Sequence, residues 1–142
     1  MIRPDPIRVF LVDDQTLVRQ GIRSLLALAE GIEVVAEAAD GRQAVELIPQ
    51  VKPDVVLMDM RMPAMSGLEA LQAMGRAGTL PPTIILTTFD DDQLVLAGIK
   101  AGAKGYLLKD VSLEQLVNAI QMVAAGGGEE QEFGLGAHAL AL

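Results

Sequence analysis

Unbroken apolar runs recur along this chain, and they restrict its fold more than any other feature does. Residues 7–12, 32–36, 55–58, 83–87 and 106–108 read as strands. Several, such as VVLM and IIL, do not alternate with polar residues. Both of their faces must therefore be covered, the condition met inside a parallel sheet. Helical spacing fills the intervals. Val18, Ile22, Leu25, Leu26 and Ala29 recur at i, i+4 and i+7, as do Leu113, Leu116, Val117, Ile120 and Val123, the latter behind the capping pattern Ser112-Leu113-Glu114-Gln115. Shorter helices are expected over residues 43–48, 68–74 and 93–101. Asp40-Gly41, Lys52-Pro53-Asp54, Met62-Pro63, Pro81-Pro82 and Gly102 separate the segments. A strand followed by a helix, repeated five times at about 20–25 residues per unit, predicts an open, doubly wound α/β domain.

In such sheets ligands bind beyond the carboxyl ends of the strands, at the point where the strand order reverses. Four of the five predicted strand ends carry a reactive or ion-binding side chain: Asp13-Asp14, Asp59, Thr87-Thr88 and Lys109. With the strands in the order 2-1-3-4-5, the first and third are neighbours and the three aspartates converge. Clustered carboxylates repel and lose hydration, which raises their pKa values. A divalent cation relieves this, and carboxylate and water ligands with room for phosphate oxygens suit Mg²⁺. Lys109 adds a compact positive charge and Thr87 a hydroxyl donor. Together they suit phosphoryl transfer, which depends mainly on positioning and charge neutralisation. Each residue also has a plain alternative: Asp13-Asp14 as a helix cap, Asp59 as a turn residue, Lys109-Asp110 as a solvated pair, Thr87-Thr88 as strand formers. Their coincidence at one sheet edge favours the functional reading.

Composition narrows the classes further. The chain has 142 residues, 51% of them hydrophobic, enough for one well-packed domain. A net charge of −8 and only three Phe, one Tyr and no Trp argue against a nucleic-acid surface on this chain. With no cysteine, disulfides and thiolate chemistry are excluded. There is no membrane-length apolar run and no signal-peptide pattern, so a soluble cytoplasmic protein without membrane contact is expected.

Leu11-Val12-Asp13-Asp14, Val56 through Pro63 (VLMDMRMP), Leu86-Thr87-Thr88 and Gly105 through Asp110 (GYLLKD) resemble the receiver domain of bacterial two-component response regulators. The likeness covers about residues 7–125 in order and spacing. It implies a CheY-like (flavodoxin-like) fold, with five parallel strands in the order 2-1-3-4-5 flanked by five helices. It implies Asp59 as phosphoacceptor, taking a phosphoryl group from a sensor histidine kinase or a small phosphodonor. Mg²⁺ would be held by Asp14, Asp59 and the Arg61 carbonyl, with Asp13 acting through a water. Lys109 and Thr87 would bind phosphoryl oxygens, and Tyr106 matches the aromatic that packs inward as Thr87 moves. Arg61 and Phe89 fall at positions that vary in the family and tune phosphate lifetime; both are expected to restrict attacking water.

TTFDDD, GYLLKD and Ala124-Ala125-Gly126 are similar to the NarL/FixJ (LuxR-type) subfamily. Its members carry a C-terminal helix-turn-helix domain of about 60 residues, more than residues 126–142 can supply. The receiver is thus expected over residues 1–125, and residues 126–142 read as a linker stump or a tail added in cloning. DNA contact would fall to the missing domain. The resemblance also allows a homodimer on phosphorylation, through the first and last helices or the fourth helix and fifth strand. The apolar Leu94, Val95, Leu96 and Ile99 are either core or a partner surface, and core is favoured. Two rivals remain. A metal-dependent phosphatase with an aspartyl nucleophile would use the same carboxylates, threonine and lysine. A degenerate receiver that signals without phosphorylation is disfavoured, because all the matched site residues are present. The phosphatases place their nucleophile in Asp-x-Asp after the first strand, unlike the adjacent Asp13-Asp14 here.

Overall fold

The computed structural model describes residues 5–88 and 91–126. Five strands alternate with five helices: β1 (Ile7–Val12), α1 (Thr16–Leu26), β2 (Ile32–Ala38), α2 (Gly41–Val51), β3 (Val55–Asp59), α3 (Gly67–Ala77), β4 (Thr83–Thr87), α4 (Asp92–Lys100), β5 (Gly105–Leu108) and α5 (Leu113–Ala124). The sheet is parallel throughout, in the order β2-β1-β3-β4-β5. This is the predicted architecture.

Alternation along each strand divides the core into two layers. Phe10, Val12, Val56, Met58, Ile85 and Tyr106 pack with Ala44 and Ile48 of α2, Ala70, Leu71 and Met74 of α3, and Val95 of α4. Val9, Leu11, Leu57, Ile84, Leu86 and Leu107 face the other way, against Leu26 of α1 and Leu116, Ala119, Ile120 and Val123 of α5. The unbroken apolar runs are thus accounted for: β3 and β4 are buried at every position.

Local chemistry starts the helices where the sequence signals them. Asp40 accepts the Gln43 amide at 2.9 Å, while Ser66 and Ser112 each form reciprocal caps, with Glu69 and Gln115. Helix α2 runs beyond the expected 43–48, because Pro49 lies near its end. The chain completes one more turn after losing a single donor, and Lys52, in the left-handed region at φ 54°, closes it by donating its N–H to the Ile48 carbonyl.

The expectation that the apolar residues of α4 belong to the core requires correction. Val95 is buried and Leu94 packs against the first layer, whereas Leu96 and Ile99 are exposed. Val95 and Gly98 set the inward face, since Ile85 Cδ1 occupies the space a Gly98 side chain would need; one step of about 100° from Val95 carries Leu96 outward. Leu25, placed by spacing on the inner stripe of α1, is also exposed; Leu26 is the buried residue.

Gly21 lies inside α1 with nothing near an added Cβ. Gly21→Ala is expected to stabilise the fold by about 0.5–1 kcal/mol, through the lower conformational freedom of alanine in the unfolded chain. An upward shift of the urea midpoint with unchanged slope would verify it.

Candidate functional site

The strand order reverses between β1 and β3, so their carboxyl ends open into one crevice. Asp13 follows β1 and prolongs its pairing with β2 by donating its N–H to the Ala38 carbonyl at 3.1 Å. Its Oδ1 accepts the Gln15 amide at 2.8 Å, a tight turn that leads into α1. Arg19 secures the backbone by donating to the Asp13 carbonyl at 2.7 Å, and its guanidinium pairs with Glu37. Asp59 is the last residue of β3, in register with Leu86 of β4. Gly67 holds the returning loop against this strand end, its N–H bonded to the Met60 carbonyl at 3.1 Å.

Lys109 enters from β5, where its N–H continues the sheet by donating to the Thr87 carbonyl at 2.9 Å. Its ammonium lies 3.1 Å from Asp13 Oδ2 and 3.2 Å from Asp59 Oδ1. One oxygen from each of Asp13, Asp14 and Asp59 lies within 4.8 Å of the others. Asp13 and Asp59 are buried and Asp14 is exposed, so the group opens to solvent on one side.

Electrostatics follow from this packing. Burial, reinforced by the negative charge of Asp13, pushes Asp59 up to about 6 although Lys109 opposes the shift. Burial also disfavours the charge of Lys109, yet the attraction of Asp59 and then Asp13 outweighs it and holds the ammonium above its ordinary range. The lysine therefore remains charged while Asp59 changes state near neutrality. Asp13 Oδ2 is fully buried and receives no well-aligned hydrogen bond. A buried carboxylate oxygen whose near neighbour is the Lys109 ammonium at 3.1 Å, grouped with two further carboxylates that open to solvent on one side, fits a hard divalent cation of the Mg²⁺ type.

The chain is similar to known proteins in sequence and in fold. Residues 9–121 match the family model described as the response regulator receiver domain. The chain belongs to that family. The receiver is 49% identical over 121 residues to the nitrate/nitrite response regulator protein NarP of Escherichia coli (strain K12), covering 85% of this chain and 56% of NarP. It is 48% identical over 122 residues to the transcriptional regulatory protein YxjL of Bacillus subtilis (strain 168), covering 86% of this chain and 56% of YxjL. The chain thus spans about half the length of these curated relatives. A crystal structure of a LuxR-family two-component response regulator from Aurantimonas sp. SI85-9A1 superposes with a TM-score of 0.84 at 33% identity, covering 96% of each chain. These likenesses place the receiver among those of NarL/LuxR-type regulators, as signalling domains.

Not every residue singled out from the sequence converges on the crevice. Asp13, Asp14, Asp59 and Lys109 do. The Thr87 hydroxyl instead donates to the Thr88 carbonyl at 3.2 Å. Tyr106 is already packed inward in the first core layer, so burial of the ring does not require Thr87 to have moved. The Arg61 amide donates to Asp59 Oδ1 at 3.4 Å, but its guanidinium turns to Asp91. Phe89 and residues 127–142 lie outside the described residues.

Asp91 was not singled out from the sequence. It is buried, its carboxyl is held below the ordinary range chiefly by Arg61, and it also accepts from the Thr88 hydroxyl at 3.2 Å. The only sequence signal was an aspartate run opening a helix, a common capping pattern that does not reveal a partner thirty residues away.

Proposed function

We propose that this receiver accepts a phosphoryl group on Asp59 from the phosphohistidine of a sensor histidine kinase. The change would then pass to a transcriptional output domain outside this chain. The observation that carries the reading is the buried Asp59 carboxylate at the end of β3, with the Lys109 ammonium 3.2 Å away and the Asp13 carboxylate beside it.

Asp14, Asp59 and the Arg61 carbonyl would hold Mg²⁺, with Asp13 acting through a water. The ion supplies charge neutralisation and coordination positions for phosphoryl oxygens. An ionised Asp59 oxygen attacks phosphorus; the new O–P bond forms as the P–N bond to the donor imidazole breaks, and the imidazole, protonated on its other ring nitrogen, takes the electron pair and leaves neutral. Lys109 is preorganised to receive the phosphoryl charge because neighbouring carboxylates hold its ammonium in place before the donor arrives. Thr87, at the adjacent strand end, would exchange the Thr88 carbonyl for a phosphoryl oxygen, with Tyr106 as the neighbouring switch aromatic. Arg61 and Phe89 would tune the lifetime of the acyl phosphate by restricting water. Residues 126–142 would serve as the start of a linker toward the DNA-binding half, and phosphorylation would favour a homodimer.

Intact-mass measurement after incubation with acetyl phosphate and Mg²⁺ tests the reading. One added phosphoryl group on the wild-type chain and none on Asp59→Asn is expected. No mass gain in the wild type, or an equal gain in both, would contradict it. Lys109→Ala should slow the gain by about 100-fold or more, the scale on which removal of a group stabilising developing charge acts. The initial rate of mass gain reads this.

A further inference from the structure

Helices α2, α3 and α5 are each capped by the side chain of the residue that precedes them, Asp40, Ser66 and Ser112. Asp91 holds the same position before α4, and aspartate is among the best residues there, yet its side chain makes no cap bond. Its backbone, at φ −108° and ψ 38°, also departs from the extended conformation of the three capped starts. The carboxylate points elsewhere. It accepts from Arg61 Nε at 2.9 and 3.1 Å, from the terminal guanidinium nitrogen, and from the Thr88 hydroxyl at 3.2 Å. The first amides of α4 lack their natural acceptor because Arg61 holds it.

We propose that Asp91 is a two-position acceptor. Bound to Arg61, it ties the start of α4 to the loop after β3 and keeps the Thr88 hydroxyl turned toward itself; released, it caps α4. The release rests on the function proposed above. A phosphoryl group on Asp59 brings about −1.5 to −2 charges and three strong acceptors to a point two residues from Arg61. Arginine pairs with phosphate oxygens as readily as with a carboxylate. The Arg61 side chain is 71% exposed, so it can turn without disturbing the core, whereas Asp91 is 7% exposed and cannot remain buried without a partner. The amides of Gln93 and Leu94, second and third in α4, are the donors it would reach. Departure of Asp91 would also release the Thr88 hydroxyl, coupling the phosphoryl group to α4 by exchange of hydrogen-bond partners.

Amide hydrogen exchange at Gln93 and Leu94, followed by NMR on the full chain, tests both positions. Without a phosphodonor, Arg61→Ala and Asp91→Asn should each slow exchange about fivefold relative to wild type, since both free a capping oxygen. Asp91→Ala, which has none, should show no slowing. Unchanged or faster exchange in Arg61→Ala or Asp91→Asn would overturn the proposal, because a purely structural ion pair would loosen this segment when broken. In wild type, uptake of a phosphoryl group from acetyl phosphate and Mg²⁺ should produce the same slowing. Uptake without slowing overturns the phosphate-driven release, whereas absence of uptake overturns the proposed function and leaves the arm without phosphodonor to judge the two positions alone.

Discussion

Gly67→Ala is expected to cost about 3 kcal/mol of stability, at the upper end of overpacking effects. For a domain of this size the thermal midpoint should fall by roughly 10–20 °C. A Cβ at residue 67 would lie 2.2 Å from the Asp59 carbonyl oxygen and 2.8 Å from Met60 Cα. Both are main-chain atoms at the end of a strand buried on every side, so neither can withdraw as a flexible side chain would. The Gly67 N–H also bonds the Met60 carbonyl at 3.1 Å, so moving the loop outward to make room breaks a buried hydrogen bond. The backbone that must shift carries Asp59, so the rate of phosphoryl uptake should fall with stability. Thermal unfolding followed by circular dichroism measures the first effect. A loss of less than 3 °C would show that the loop yields more readily than its packing indicates.

Asp59→Asn should abolish phosphoryl uptake and at the same time stabilise the metal-free protein. The fold raises this carboxyl from its ordinary 3.8 to about 6, so the native state holds its proton more tightly than the unfolded chain does. Stability then falls as pH rises between about 4 and 6, since the native state binds more protons in that window. Solvent at the open side of the crevice screens part of the shift, and about 1–2 kcal/mol is expected. The asparagine variant should gain that much at pH 7 and lose the corresponding slope in urea midpoints taken across pH 4–7. Added Mg²⁺ should recover stability in the wild type and do little for the variant. A variant no more stable than the wild type at pH 7, in the absence of Mg²⁺, would show that Lys109 already neutralises the site.

The parts of this fold that were legible in the sequence are those whose physics is local. Residues 55–58 and 83–87 could be recognised as buried strands because continuous apolar runs have no other comfortable place. Ser112 and Gln115 announced the start of α5, and carboxylates after β1 and β3 could be brought together once the strand order was known. What escaped depended on partners distant in sequence. The exposed side of α4 was hidden because its residues are apolar on nearly every side, and only the contact between Gly98 and Ile85 decides which face turns inward. Helix α2 extends past the expected residue 48, since a proline near the last turn removes only one donor. Asp91 was not singled out, and its bond to Arg61 is set by two loops that meet in space.

Position of the phosphoryl group is the central claim, and reductive trapping reads it directly. Borohydride cleaves an aspartyl phosphate and converts the side chain to that of homoserine. After incubation with acetyl phosphate and Mg²⁺, reduction and peptide mapping should find homoserine at position 59. Homoserine at position 13 or 14 instead, or phosphate uptake with no homoserine, would contradict the account.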